Sequence, residues 1–341
     1  MAFETGTAST YLDLVNKVNT FLSSNGYALT SGIITKSGTN IHVEFSNPIT
    51  SEFKLEMGKG SSAGNLLDTH DDAVTLTGSA DQDVGMCTQY YNGETMVFPI
   101  NYFFQLYSTP VNEFRCVIEY NNGLYQNCGF GEIVKATNFF GGIYIDGSVA
   151  RRSTGGGIYN GSDMSNLTWE YASLLGGSVR RVNLSPLPFG EGGGPQADYP
   201  SATQIWADLM GFDWWITGYR NFTNGIYAGT RYANASYLNH MLYSTKLTHL
   251  LGEYSQQAYN GNAALVPISL FGRPPSGNRI KIGDIENIRL INIKNIAPGE
   301  VIDDGTDQWK CYPAFKKEAT TENGTGDHSG QIGFAVRYDG P

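Results

Sequence analysis

The stretch at residues 98–148 (FPINYFFQLYSTPVNEFRCVIEYNNGLYQNCGFGEIVKATNFFGGIYIDGS) most constrains what this chain can fold into, because it combines dense aromatic content with a strand period. Phe114, Cys116, Ile118 and Tyr120 alternate with Arg115, Val117 and Glu119, the period of two expected of a strand with one buried face. Asn121-Asn122-Gly123 follows, and Asn and Gly tolerate the positive φ of tight hairpin turns. A second strand over 124–130 should therefore return antiparallel to the first. Upstream, 102–107 is an almost unbroken apolar run, suited to a strand covered on both faces and stopped by Thr109-Pro110, since proline has no N–H for a ladder. Downstream, Gly141-Gly142 and Asp146-Gly147 bracket a short strand over 143–145. This is the core meander of a β-rich domain, and it carries no chemistry by itself.

The flanking sequence extends the same picture. Over 7–26, Tyr11, Leu14, Val15, Val18, Phe21 and Leu22 recur at helical spacing on one face. Thr10 is placed to cap this helix, Asp13 sits in the capping-box position, and Asn25-Gly26 is a stop signal. Ile41, Val43 and Phe45 alternate, as do Phe53, Leu55 and Met57. Residues 153–161 and 187–201 are long Gly/Pro/Ser-rich loops. From 265 onward strand signals return: an apolar run over 265–271, an isoleucine-rich stretch over 280–293, and closing strands over 309–315 and 332–338. The expected fold is mainly β with α+β character: antiparallel sheets, sandwich or barrel-like, with an N-terminal amphipathic helix and long Gly-rich loops. Three segments are expected: 1–150, the helix and a β domain; 151–264, a loop-rich aromatic insertion or second domain; and 265–341, a C-terminal β segment packing back on the first.

Charge and cysteine usage narrow the function classes. Across 341 residues only 16% are charged and the net charge is −10, which argues against nucleic-acid binding, where clustered Lys and Arg are needed. Low charge with 42 Gly, 21 Tyr and 17 Phe suits a surface covered by other proteins. Cys87, Cys116, Cys128 and Cys311 form no C-x-x-C pair, so zinc and thioredoxin-type readings have no support, and a disulfide framework is not expected. Cys116 falls on the apolar side of its strand as a small hydrophobe. No signal peptide is read at the N-terminus, and no apolar run approaches the roughly 20 residues of a membrane span.

Catalytic templates find little. Gly60-Ser61-Ser62-Ala63-Gly64 matches G-x-S-x-G, but a nucleophile elbow needs a strand before the serine and a helix after it, and neither is indicated. Asp68, His70, Asp71 and Asp72 could gather round a metal, yet an acidic loop is ordinarily a solvated turn; Asp81 and Asp83 receive the same reading. The remaining histidines, His42, His240, His249 and His328, lack metalloprotease spacing. Trp206, Leu209, Phe212, Trp214, Trp215, Ile216 and Tyr219 form an aromatic cluster. Core is the favoured reading; the alternative makes Trp214, Trp215 and Tyr219 contacts for a partner or a glycan.

The opening GTASTYLDLVNKVNTFL resembles the start of a group of virion proteins of tailed bacteriophages, where Gly-Thr/Ser-Ala leads into a YLDLLDKL-type helix. The central stretch is similar to the same group at Tyr102-Phe103-Phe104, at Phe114-Arg115-Cys116-Val117-Ile118, over 124–130, and at Gly141-Gly142 with Gly147-Ser148. It departs from the group at Asn127-Cys128, where aromatics are usual. The C-terminal segments 302–313 and 335–340 look like the W-x-x-Y-P and A-V-R-Y-D-G ends of phage tail and neck proteins. Residues 150–265 have no counterpart in the group. The resemblance implies a structural virion component of the tail, tail tip or baseplate, or neck, made in the host cytoplasm. It would contact other virion proteins and copies of itself in a ring or trimer, with no cofactor and no catalytic residues. The alternative is a host-receptor or glycan-binding module on the same particle; a polysaccharide-degrading enzyme is a remote third.

Overall fold

The computed structural model describes residues 1–47, 52–58, 60–67, 82–87, 96–136, 142–151, 169–171, 180–182, 203–208, 214–216, 241–243, 265–273, 280–293, 295–313, 317 and 332–340. Most of these lie in strands, and one helix is found among them, so the protein is a β-rich α+β fold. The chain opens with β1 (Ala2–Ala8), α1 (Tyr11–Ser24), β2 (Ala28–Thr30), β3 (Ile33–Thr35), β4 (His42–Ser46), β5 (Glu52–Gly58), the small hairpin β6 (Gly60–Ser62) and β7 (Asn65–Leu67), and β8 (Gln82–Cys87). The central meander is β9 (Ile100–Tyr107), β10 (Glu113–Tyr120), β11 (Leu124–Glu132), β12 (Val134–Lys135) and β13 (Ile143–Arg151). Next come β14 (Trp169–Tyr171), β15 (Arg180–Val182), β16 (Thr203–Asp208), β17 (Trp214–Ile216) and β18 (Met241–Tyr243). The C-terminal strands are β19 (Val266–Arg273), β20 (Ile280–Asn292), β21 (Val301–Asp303), β22 (Gln308–Pro313) and β23 (Ile332–Tyr338).

One sheet runs β1-β9-β10-β11-β13-β8-β5-β4-β3-β2, with β16 pairing β13 and β17 pairing β16. A second runs β18-β19-β20-β23-β22-β21, with β12 joined to β20. Neighbours are antiparallel, as in the central pairs Phe114↔Phe130 and Phe114↔Leu106 and in Cys311↔Ala335 of the second sheet. The central hairpin turns on Asn121, Asn122 and Gly123, all at positive φ (43°, 55° and 105°), the conformation these residue types tolerate best.

The helix forms where its apolar period is cleanest. Tyr11, Leu14, Val15, Val18, Phe21 and Leu22 are all buried. At the roughly 1.5–3 kcal/mol of a fully buried apolar side chain, this face accounts for most of what holds the helix in place. Thr10 is the N-cap, its hydroxyl accepting from the Asp13 amide at 3.0 Å. The Asp13 carboxylate reaches one residue further back than a capping box, accepting from the Ser9 amide at 2.8 Å. The Ser9 amide, with the Ser9 hydroxyl and Lys17, draws the Asp13 carboxyl below its ordinary value. The helix starts after Thr10, the cap read from the sequence; residues 7 and 8 at the head of the 7–26 span are the end of edge strand β1, whose register runs from Ala2↔Leu106 to Ala8↔Ile100.

The sheet curls around the helix. Phe21 lies 5.5 Å from Phe104 and 6.2 Å from Phe114, while Phe45 of β4 lies 5.7 Å from Phe114 and 6.1 Å from Phe130. Strands far apart in sheet order thus meet across one apolar core. The opposite face of β9–β11 carries the second sheet: Tyr312 of β22 packs within 5.5 Å of Phe103 and 6.0 Å of Tyr125. The reading of β10 as a strand with one buried face is therefore corrected. Arg115 and Val117, on the face read as outward, are wholly buried.

Candidate functional site

The most concentrated chemistry among the described residues lies on that second face, where β10 and β13 meet β20. Arg115 stands beside Glu113 on the same face of β10. Its Nε donates to Glu113 Oε1 at 3.4 Å, Nη1 to Asp146 Oδ1 of β13, and Nη2 to the Tyr144 hydroxyl at 3.0 Å. The other oxygen of Glu113 crosses to the second sheet, accepting from the Asn287 backbone amide at 3.2 Å and its side-chain amide at 2.9 Å. Glu113, Arg115, Tyr144, Asp146 and Asn287 are all 0% exposed.

Two glycines make this arrangement fit. Register places Gly129 opposite Arg115 and between it and Asp146, and Gly131 between Glu113 and Tyr144. A Cβ on Gly129 would lie 2.8 Å from the Arg115 Cζ and 2.5 Å from the Phe114 carbonyl oxygen; on Gly131 it would lie 2.9 Å from the Glu113 Cα. The Arg115 side chain thus crosses β11 through the space a side chain would fill. Phe130, between the two glycines, faces the apolar core instead.

The electrostatics are those of two carboxylates sharing one guanidinium. Burial pushes the Asp146 carboxyl up to about 6, with Arg115 pulling it back. Burial works against the Arg115 charge too and is the largest single influence on it, but Asp146, Tyr144 and Glu113 together outweigh it and the guanidinium is held charged. The Tyr144 phenol is driven well above its ordinary value by burial, so it stays protonated. Beside the cluster, the buried Tyr107 hydroxyl donates to the Arg337 carbonyl of β23, a second tie between the sheets. Lys310 of β22 supplies a third, its ammonium 4.7 Å from the Tyr338 ring centroid, 5.3 Å from Phe3 and 5.5 Å from Phe103. A site closed to solvent, in which one guanidinium ties two carboxylates and Glu113 reaches on to Asn287 of the second sheet, is suited to fixing two sheets in register. Breaking such a pair by removing one partner costs much, because the surviving charge stays buried and uncompensated.

Sequence-derived candidates fall elsewhere. Gly60-Ser61-Ser62-Ala63-Gly64 forms the β6–β7 hairpin, with Ala63 and Gly64 at positive φ, so the strand-then-helix setting of a nucleophile elbow is absent. Ser61, not Ser62, meets a histidine: its hydroxyl lies 3.0 Å from His42 Nδ1, and burial holds that imidazole below its ordinary pKa. Trp214 and Trp215 sit on β17, where the backbone pairs Asp208↔Trp214 and Ala207↔Trp215. Their side chains, all of Tyr219, and residues 68–72 and 81 lie outside the described residues; Asp83 lies on β8, with its side chain outside them too. A recess of about 160 Å³ is lined by Asn25, Tyr27, Lys36, Ser108 and Asn112. Its cation is engaged, since Lys36 Nζ donates to the Gly26 carbonyl at 3.2 Å and lies 4.7 Å over the Tyr27 ring.

Among the described residues no three His, Cys, Asp or Glu side chains are grouped to hold a metal ion, and no helix is long and apolar enough to cross a membrane. No protein-family model matches the chain, and no curated protein matches it.

Proposed function

We propose that this chain is a structural subunit of a tailed-bacteriophage particle, contacting copies of itself and neighbouring virion proteins in the tail, baseplate or neck. The observation that carries the reading is the coincidence of two sets of residues. The segments resembling phage virion proteins, at 102–104, 114–118, 124–130 and Gly147-Ser148, lie on β9, β10, β11 and β13. The same strands supply Glu113, Arg115, Tyr144 and Asp146 of the sealed charge cluster and the glycines that admit it. Within those segments Arg115 and Gly129 themselves belong to the cluster; residues spent on locking two sheets belong to a scaffold, and a rigid scaffold is what a repeated particle component requires. The low charge and aromatic richness of the chain support a subunit whose surface is covered by protein partners. Imaging of purified particles labelled with antibody to this chain is the test. Label at one fixed position along the particle supports the proposal, and particles that never take label end it.

A further inference from the structure

Cys116 of β10 and Cys128 of β11 are direct cross-strand partners in the central hairpin. Both are fully buried in the apolar core beside Phe104, Phe114, Phe130 and Ile145, and both are free thiols. Directly opposed residues of an antiparallel pair have Cα atoms about 4.5–5.5 Å apart, inside the roughly 4.4–6.8 Å that a disulfide spans. Directly opposed side chains leave the sheet on the same face, and both belong to one apolar core cluster, so the two sulfurs are on one side of the hairpin. We propose that Cys116 and Cys128 are a latent redox pair that closes into an internal disulfide stapling the central hairpin, with access of oxidant gated by opening of that hairpin.

The chemistry balances with a low-molecular-weight disulfide as oxidant. One cysteine thiolate attacks a sulfur of the small disulfide, breaking its S–S bond and releasing one small thiol, which takes up a proton. The second cysteine thiolate then attacks the protein sulfur of the mixed disulfide, forming the Cys116–Cys128 bond and expelling the second small thiol. The protein loses two hydrogens and the oxidant gains them. Gating follows from burial: both sulfurs are out of reach of solvent, and burial raises the Cys116 pKa, disfavouring the attacking thiolate until the strands part.

The test uses the full chain with oxidised glutathione, with and without sub-denaturing urea, followed by unfolding, alkylation with N-ethylmaleimide and trypsin. Cleavage after Arg115 and Lys135 leaves both cysteines in one peptide, 116–135. The expected product is that peptide lighter by two hydrogens and free of label, formed faster in urea and absent from the Cys128→Ala variant. A loop of this size, near 15 residues, should make the oxidised chain about a hundredfold harder to unfold. The proposal is overturned if both thiols remain open to alkylation, if glutathione adducts persist on either, or if the oxidised chain unfolds no less readily than the reduced one. The wild-type peptide mass decides the matter even where a variant fails to fold.

Discussion

Replacing Arg115 with methionine removes the cation that two buried carboxylates share while keeping an unbranched chain in the channel over Gly129. Glu113 would keep the two Asn287 donors, while Asp146 already has one oxygen without a hydrogen-bond partner. Each would lose the guanidinium, at full burial. Breaking a buried ion pair by removing one partner costs about 3–5 kcal/mol, because the surviving charge stays desolvated. That cost should depend on pH in a defined way. Without Arg115 pulling it down, the Asp146 carboxyl rises beyond its value of about 6, so the variant takes up a proton where the parent has not yet done so. Between pH 7.5 and 6.0 this recovers up to about 2 kcal/mol, at about 1.4 kcal/mol per pH unit for one proton. Equilibrium urea unfolding, followed by tryptophan fluorescence at both pH values, measures each quantity; Trp309, buried in the second sheet, is one reporter. Adding Glu113→Gln and Asp146→Asn to Arg115→Met should return much of the loss, since no buried charge then remains in the cluster. A cost under about 1 kcal/mol for Arg115→Met, or a triple variant no more stable than the single one, would refute the reasoning.

Four further outcomes follow from the same structure. The folded-state pKa of Asp146 lies above the unfolded value, 3.8 rising to about 6, so its contribution to stability is fully present below pH 4 and is lost as pH rises through 6. Unfolding curves of wild type and Asp146→Asn from pH 4 to 7 should diverge by about 3 kcal/mol across that window, and parallel curves would contradict it. Gly129→Ala drives a methyl against Arg115 and the Phe114 carbonyl and should destabilise by about 1–3 kcal/mol or more in urea unfolding. Leu14→Ala opens a cavity under the helix and should cost about 2–5 kcal/mol by the same measurement. Thr10→Ala removes the N-cap acceptor and should cost about 1 kcal/mol, seen as a lower urea midpoint with an unchanged slope.

What the sequence disclosed, it disclosed through local periodicity. The apolar stripe from Tyr11 to Leu22 marks the helix, and the Asn121-Asn122-Gly123 turn marks the central hairpin; both features are present. Edge strand β1 escaped because Ala2–Ala8 is a mix of small and polar residues whose extended form is imposed by pairing with β9, almost a hundred residues on. The charge cluster escaped for a related reason. Arg115 alternates with apolar residues, so a two-residue period assigns it to the solvent side. The partners that permit its burial, Asp146 and Tyr144, arrive from another strand, and Asn287 comes from another sheet, 174 positions from Glu113. One trace was legible: Gly129 and Gly131 occupy alternate positions of one strand, where side chains are normally needed for packing. Paired glycines on one face signal that something else passes close to the backbone. The Trp214, Trp215 and Tyr219 reading had no comparable anchor, since aromatic density alone does not separate core from surface.

The central claim is that the chain is a repeated structural component of a virion. Quantitative mass spectrometry of gradient-purified particles, with a coat protein of known copy number as internal standard, tests it most directly. The account predicts this chain in every particle, at a fixed copy number that is a whole multiple of a ring or trimer. Its absence from purified particles, or an abundance that falls with each purification step, would contradict the account.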